Sequence, residues 1–127
     1  MRVALDTNRL TDLFGGDREI AQLLASCEHI YVPLFTLAEI QAGFAGGNRA
    51  ADNEALLTSF FKRATVTLLL PDRNTASHYA RLQVQLKRAG TPILINHVWI
   101  AALALQHDLT LITRDRHFEK IPQLLLG

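Results

Sequence analysis

The chain has 127 residues, the length of one domain with a sizeable core, so a single domain over 1–127 is expected. Apolar residues make up 49% and charged residues 20%, which excludes a disordered polyelectrolyte. The net charge of +1 leaves any nucleic-acid binding to a local cluster rather than a global polycation.

Cys27 is the only cysteine, so neither an internal disulfide framework nor a cysteine metal cluster is expected. No stretch is apolar and long enough for a signal peptide or membrane span, and a soluble, cytoplasmic protein is the expectation.

In chain order, "RVAL" (2–5) reads as a short strand ending at Asp6-Thr7-Asn8. Leu10, Leu13 and Phe14 then fall at helical spacing before Gly15-Gly16. Asp17 can cap a helix carrying Ile20, Leu23 and Leu24, and "HIYV" (29–32) reads as a strand closed by Pro33. A helix follows in "LFTLAEIQAGF". Gly46-Gly47-Asn48 breaks the chain, Ala50 to Arg63 is helical, and "TVTLLL" (65–70) is β-branched, apolar and ends at Pro71.

Asp72 to Ala89 is an amphipathic helix stopped by Gly90, and "INHVWIAALALQ" (95–106) is an apolar helix that Asn96 can cap. Trp99 belongs to the core on this reading. "LTLIT" (109–113) is the last clear strand, with "QLLL" a minor edge candidate. Short strands separated by helices, without hairpin turns, imply right-handed crossovers. The fold class is therefore α/β, with a mostly parallel sheet covered by helices on both faces.

In such sheets function gathers at the carboxyl ends of the strands. Asp6 follows the first strand directly and Asp115 follows "LTLIT" by two residues, while Glu39 sits inside a helix among apolar neighbours. Each has an ordinary reading as a cap, loop or surface residue, and only the constellation is informative. Carboxylates brought together repel unless a divalent cation neutralises them, and hard oxygen clusters select Mg²⁺ or Mn²⁺.

His97 stands in the first turn of an apolar helix, where free N–H groups favour an anion over an imidazole. His29, His78, His107 and His117 show no ligand spacing and read as surface or satisfied polar residues. Arg114, Arg116 and Lys120 form a small basic group beside Asp115. Lys87 and Arg88 suit a helix C-terminus.

The segments "ALDTNRLTDL", "PLFTLAEIQAGF" and "GTPILINHVWIAALALQHDLTLITRDRHFEKIPQL", in this order and spacing, resemble a PIN domain similar to the VapC toxins of VapBC toxin-antitoxin pairs. The resemblance spans nearly the whole chain. It implies a three-layer α/β/α sandwich on a mostly parallel sheet of about five strands. The implied reaction is Mg²⁺- or Mn²⁺-dependent endoribonucleolytic cleavage by water. Asp6 and Asp115 would bind the metal, Glu39 would orient the water, and His97 would act at the rim as weak ligand or base. Thr7, Asn8, Asn96 and Thr113 would support them, and Arg114 and Arg116 would steady the RNA backbone.

In the family the apolar helix usually begins Asn-Asp, so His97 replaces an acid of the pocket. Two readings stay open. Either the enzyme works with altered metal preference and reduced activity, or the chain is a catalytically impaired module that binds antitoxin or RNA. The family also implies a VapB-like antitoxin and a homodimer, with Leu10, Leu13, Phe14, Phe35 and Phe44 as groove candidates that are more simply core. A phosphoacceptor receiver domain would need clustered acids after the first strand and a lysine after a late one, and neither is present.

Overall fold

The computed structural model describes residues 1–127. In chain order the elements are β1 (Arg2–Leu5), α1 (Thr7–Phe14), α2 (Arg18–Ala25), β2 (His29–Pro33), α3 (Leu34–Ala45), α4 (Ala50–Phe61), β3 (Val66–Leu69), α5 (Arg73–Ala89), α6 (Ile95–Gln106), β4 (Thr110–Ile112) and a 3₁₀ turn at Arg116–Lys120. The strands form one parallel sheet in the order β3-β2-β1-β4.

Alternation along the strands builds two cores. Val3 and Leu5 of β1 pack with Ile30, Val32, Ile112 and the helices α1 to α4, whereas Ala4 and Leu111 face α5, α6 and the C-terminal segment. This is the three-layer α/β/α arrangement. The sheet has four strands, not about five, because the "QLLL" segment contributes only a single bridge, Leu111 to Leu126. That segment lies just past Pro122, which has no N–H to donate, and it meets β4 only where Leu111 donates to Leu125 O and accepts from Gly127 N.

Local chemistry places several helix ends. Asp17 accepts from Ile20 N at the start of α2. Asp72 and Thr75 form a reciprocal capping box on α5, and Gly90 ends that helix at φ 68°, a left-handed conformation that favours glycine.

Two expectations need correction. The helix α6 starts at Ile95 behind Leu94, so Asn96 lies inside its first turn, exposed and without a side-chain hydrogen bond, and caps nothing. Leu94 has already turned out of the helix and its carbonyl accepts from Val98 N, which fixes the boundary two residues before Asn96. Trp99 is only half-buried. It lies between Phe35, 5.4 Å away and nearly parallel at 9°, and Tyr79, at 4.0 Å and 18°. Its ring bridges α3 and α5 instead of entering the core.

A candidate acid and imidazole pocket at the switch point

The chain runs from β1 outward through β2 to β3, then returns to place β4 on the other side of β1. The sheet order therefore reverses between β1 and β4, and a crevice opens at their carboxyl ends. Asp6 and Thr113 are the residues that leave these two strands, locked side by side by the Asp6 N to Ile112 O bond of 3.1 Å.

Asp6 is only 2% exposed. A buried carboxylate is costly unless its oxygens are paired, and here each is. Thr7 N donates to Oδ1 at 2.9 Å, while Thr113 Oγ1 at 2.7 Å and Asn8 Nδ2 at 3.3 Å donate to Oδ2. The same Thr113 hydroxyl accepts from Asp115 N at 2.9 Å, and Asn8 Oδ1 accepts from Arg114 N at 3.2 Å. Asp6 both starts α1 and belongs to the pocket. Asp115 similarly caps the 3₁₀ turn by accepting from His117 N.

Glu39 arrives on α3. The buried Thr36, one turn earlier on the same face, donates from Oγ1 to Leu5 O at 2.9 Å and ties α3 to the end of β1 beside Asp6. Burial pushes the Glu39 carboxyl above its ordinary range and the Asp6 charge adds to this, while the Thr7 hydroxyl and the His97 imidazole act in the opposite sense. Thr7 Oγ1, Glu39 Oε1 and His97 Nδ1 are nonetheless buried without a well-formed hydrogen bond.

His97 is buried rather than at a rim. Its ring packs on Phe118 at 4.8 Å, and its Nε2 lies 3.5 Å from Asp115 Oδ2. Asp6, Glu39, Asp115 and His97 are thus linked at one edge of the sheet: Glu39 feels Thr7, Asp6 and His97, His97 adjoins Asp115, and Thr113 joins Asp115 to Asp6. Asn96 does not join them.

Arg114 is committed elsewhere. Its guanidinium grips Asp12 through two bonds, 2.7 and 3.0 Å, and Arg9 adds a third at 2.9 Å, so Asp12 is held below the usual carboxylate range first by Arg114 and then by Arg9. It braces the β4 loop against α1. Arg116 remains exposed, 3.6 Å from Glu119.

Sequence reading missed His117, whose Nδ1 lies 2.8 Å from Asp115 Oδ1. Its only signal was its place two residues after Asp115 in a tight turn. His29, tilted at 46° against Tyr31 and 2.7 Å from Thr67 Oγ1, keeps its ordinary polar reading.

The ligand atoms of His97, Asp115 and His117 lie within 4.8 Å of one another. The residues fit a divalent ion. Oxygen donors from several elements converge beside orphaned buried polar atoms, and a hard ion that keeps part of its water shell needs only one or two direct carboxylates.

An acid-lined pocket at the switch point of a parallel α/β/α sheet defines a class of fold and site shared by many phosphate-handling proteins. This chain belongs to the PIN domain family, whose model matches residues 3–124. It is similar to Ribonuclease VapC1 of Haemophilus influenzae strain R2866, at 29% identity over 94% of this chain and 92% of the relative. It is also similar to Toxin FitB of Neisseria gonorrhoeae, at 31% identity over 89% of this chain and 87% of the relative. Among solved structures, VapBC-1 from nontypeable Haemophilus influenzae superposes with a TM-score of 0.88 at 26% identity, covering 100% of this chain and 97% of the other. No helix is long and apolar enough to cross a membrane.

Proposed function

We propose that the chain is a VapC-type endoribonuclease that hydrolyses RNA phosphodiester bonds with Mg²⁺ or Mn²⁺. The observation that carries this reading is the meeting of Asp6, Glu39 and Asp115 beside orphaned buried polar atoms in a chain related to named ribonucleases. Asp6 and Asp115 would hold the ion, with Thr113 and Asn8 orienting Asp6 and Thr113 also positioning the backbone at Asp115. When bound, the ion supplies charge neutralisation at a phosphodiester and acidification of water. Glu39, with its proton affinity raised by burial, is suited to accept a proton from the attacking water. His97 takes one carboxylate from the pocket and offers nitrogen instead, which favours Mn²⁺ over Mg²⁺.

Partners follow from the related complexes. A VapB-like antitoxin is proposed because structural neighbours are VapBC assemblies, and a homodimer because the family resemblance implies one. The presence of an imidazole among the acids favours a second reading, an impaired nuclease whose main role is antitoxin or RNA binding.

Cleavage of a structured RNA by purified protein with Mn²⁺ tests the first reading. Asp6→Asn, which keeps one oxygen for Thr7 N but removes the charge, should lower the rate by roughly 100-fold or more, with an unchanged far-ultraviolet circular dichroism spectrum. Undiminished cutting by Asp6→Asn would reject the assigned site.

A further inference from the structure

The acids of the pocket do not account for His97. This imidazole is 9% exposed; its Nδ1 is buried without a partner, and its Nε2 lies 3.5 Å from Asp115 Oδ2. A buried ring nitrogen without a partner is costly, and the nitrogen of His97 placed to bind an ion is the other one, Nε2, which faces Asp115. Phe118, fully buried against the ring, keeps His97 in place.

Across the carboxylate stands a second imidazole. His117 Nδ1 lies 2.8 Å from Asp115 Oδ1, yet that oxygen takes its hydrogen bond from the His117 backbone N–H at 2.9 Å. All three ligand atoms lie within 4.8 Å of one another. For comparison, two ligands at tetrahedral positions on one zinc-sized ion with bonds of about 2.1 Å stand about 3.4 Å apart. The His97 to Asp115 separation already matches that spacing. The His117 side chain, 61% exposed, is free to turn the remaining distance.

We propose that His97, Asp115 and His117 form a binding site for a borderline transition ion such as Zn²⁺, differing from the hard-cation set of Asp6, Glu39 and Asp115 by its two imidazoles and sharing His97 and Asp115 with that pocket. Two imidazoles and one carboxylate are a nitrogen-rich set that Mg²⁺ disfavours and Zn²⁺ accepts, with the fourth position open to water or a phosphate oxygen. An ion on this triad draws Asp115 away from the acidic pocket. That consequence rests on the assignment of Asp115 under the proposed function, whereas the binding itself does not.

The test is calorimetric titration of the intact protein with Zn²⁺ in excess Mg²⁺, together with the visible spectrum after Co²⁺ addition. One equivalent should bind, with the intense absorption of a tetrahedral Co²⁺ site. His117→Gln, at an exposed position outside the core, should weaken Zn²⁺ by at least about tenfold, the size of effect already seen on losing one supporting group around a metal. Asp6→Asn should retain Zn²⁺ affinity. The proposal is overturned if Zn²⁺ does not saturate above the Mg²⁺ background, if His117→Gln binds as tightly as wild type, or if Asp6→Asn loses Zn²⁺ as fully as His117→Gln. Loss of Zn²⁺ binding with Mn²⁺-dependent cleavage intact sinks this inference alone. Zn²⁺ binding without any cleavage sinks only the ribonuclease reading.

Discussion

Asp6, Thr113 and His97 set the electrostatic balance of the pocket. Thr113 spans two carboxylate-bearing residues through one hydroxyl, donating to Asp6 Oδ2 and accepting from Asp115 N. Thr113→Val keeps the shape but leaves Asp115 N without its acceptor and Asp6 Oδ2 with Asn8 Nδ2 alone, so it should destabilise the fold by about 1–3 kcal/mol. It should also weaken divalent-ion binding by about 10–100-fold. Chemical denaturation and metal titration check the two effects separately, and a variant as stable as wild type would show that Asp6 finds another donor. At His97, substitution by Asp adds a further carboxylate beside Asp115. The ion-free His97→Asp protein should melt at a lower temperature than wild type, and Mg²⁺ should raise its Tm more, because the added charge is compensated only by a cation. Equal Mg²⁺ shifts in both proteins would mean that the missing carboxylate does not limit ion binding.

Helix ends carry the next level of organisation. The start of α5 is clamped to the end of α6, since Asp72 Oδ1 accepts from Thr75 N at 3.1 Å and from Gln106 Nε2 at 2.8 Å, while buried Thr75 donates its hydroxyl to Gln106. These bonds, led by the Thr75 backbone N–H, hold the Asp72 carboxyl below its ordinary value near 3.8. A carboxyl whose pKa is depressed in the folded state contributes stability that is present above its unfolded pKa and is lost as pH falls through the folded one. The Tm difference between wild type and Asp72→Asn should therefore be constant near neutral pH and shrink in the acid range below about 3.8, where Asp72 takes up its proton. A difference independent of pH would indicate that the cap works through its neutral hydrogen bonds alone.

At the scale of the whole molecule, the C-terminal segment completes the pocket as well as the core. Phe118 is fully buried in the cluster that contains Ala101, Leu103 and Leu111, and its ring also packs on His97. Phe118→Ala should cost about 3–5 kcal/mol in urea unfolding, with Phe118→Leu recovering most of it. If packing also holds the imidazole, Phe118→Ala should broaden the His97 ring signals in nuclear magnetic resonance spectra even under conditions where the chain stays folded. Sharp, unmoved signals would separate core packing from pocket geometry.

Much of this architecture was legible along the chain because its signals are local. Apolar periodicity, Asp17 and Asp72 as caps, Gly90 as a terminator and Asp6 at the end of a strand each depend on neighbours within a few residues. Asn96 misled because a capping residue type recurs two positions inside the true boundary, and the backbone at Leu94, not the side-chain preference, starts that helix. The sequence by itself determined the alternation of strands and helices, the parallel α/β class and the three acids worth pursuing. Only the tertiary structure decided that Arg114 is spent on Asp12, that Trp99 is shared between α3 and α5, and that His117 joins His97 across Asp115. The physical reason is range: caps and periodicity act over one or two turns, whereas Arg114 reaches Asp12 and His97 reaches Asp115 where the sheet order reverses between β1 and β4, and Trp99 meets Phe35 and Tyr79 only once α3 and α5 pack against α6.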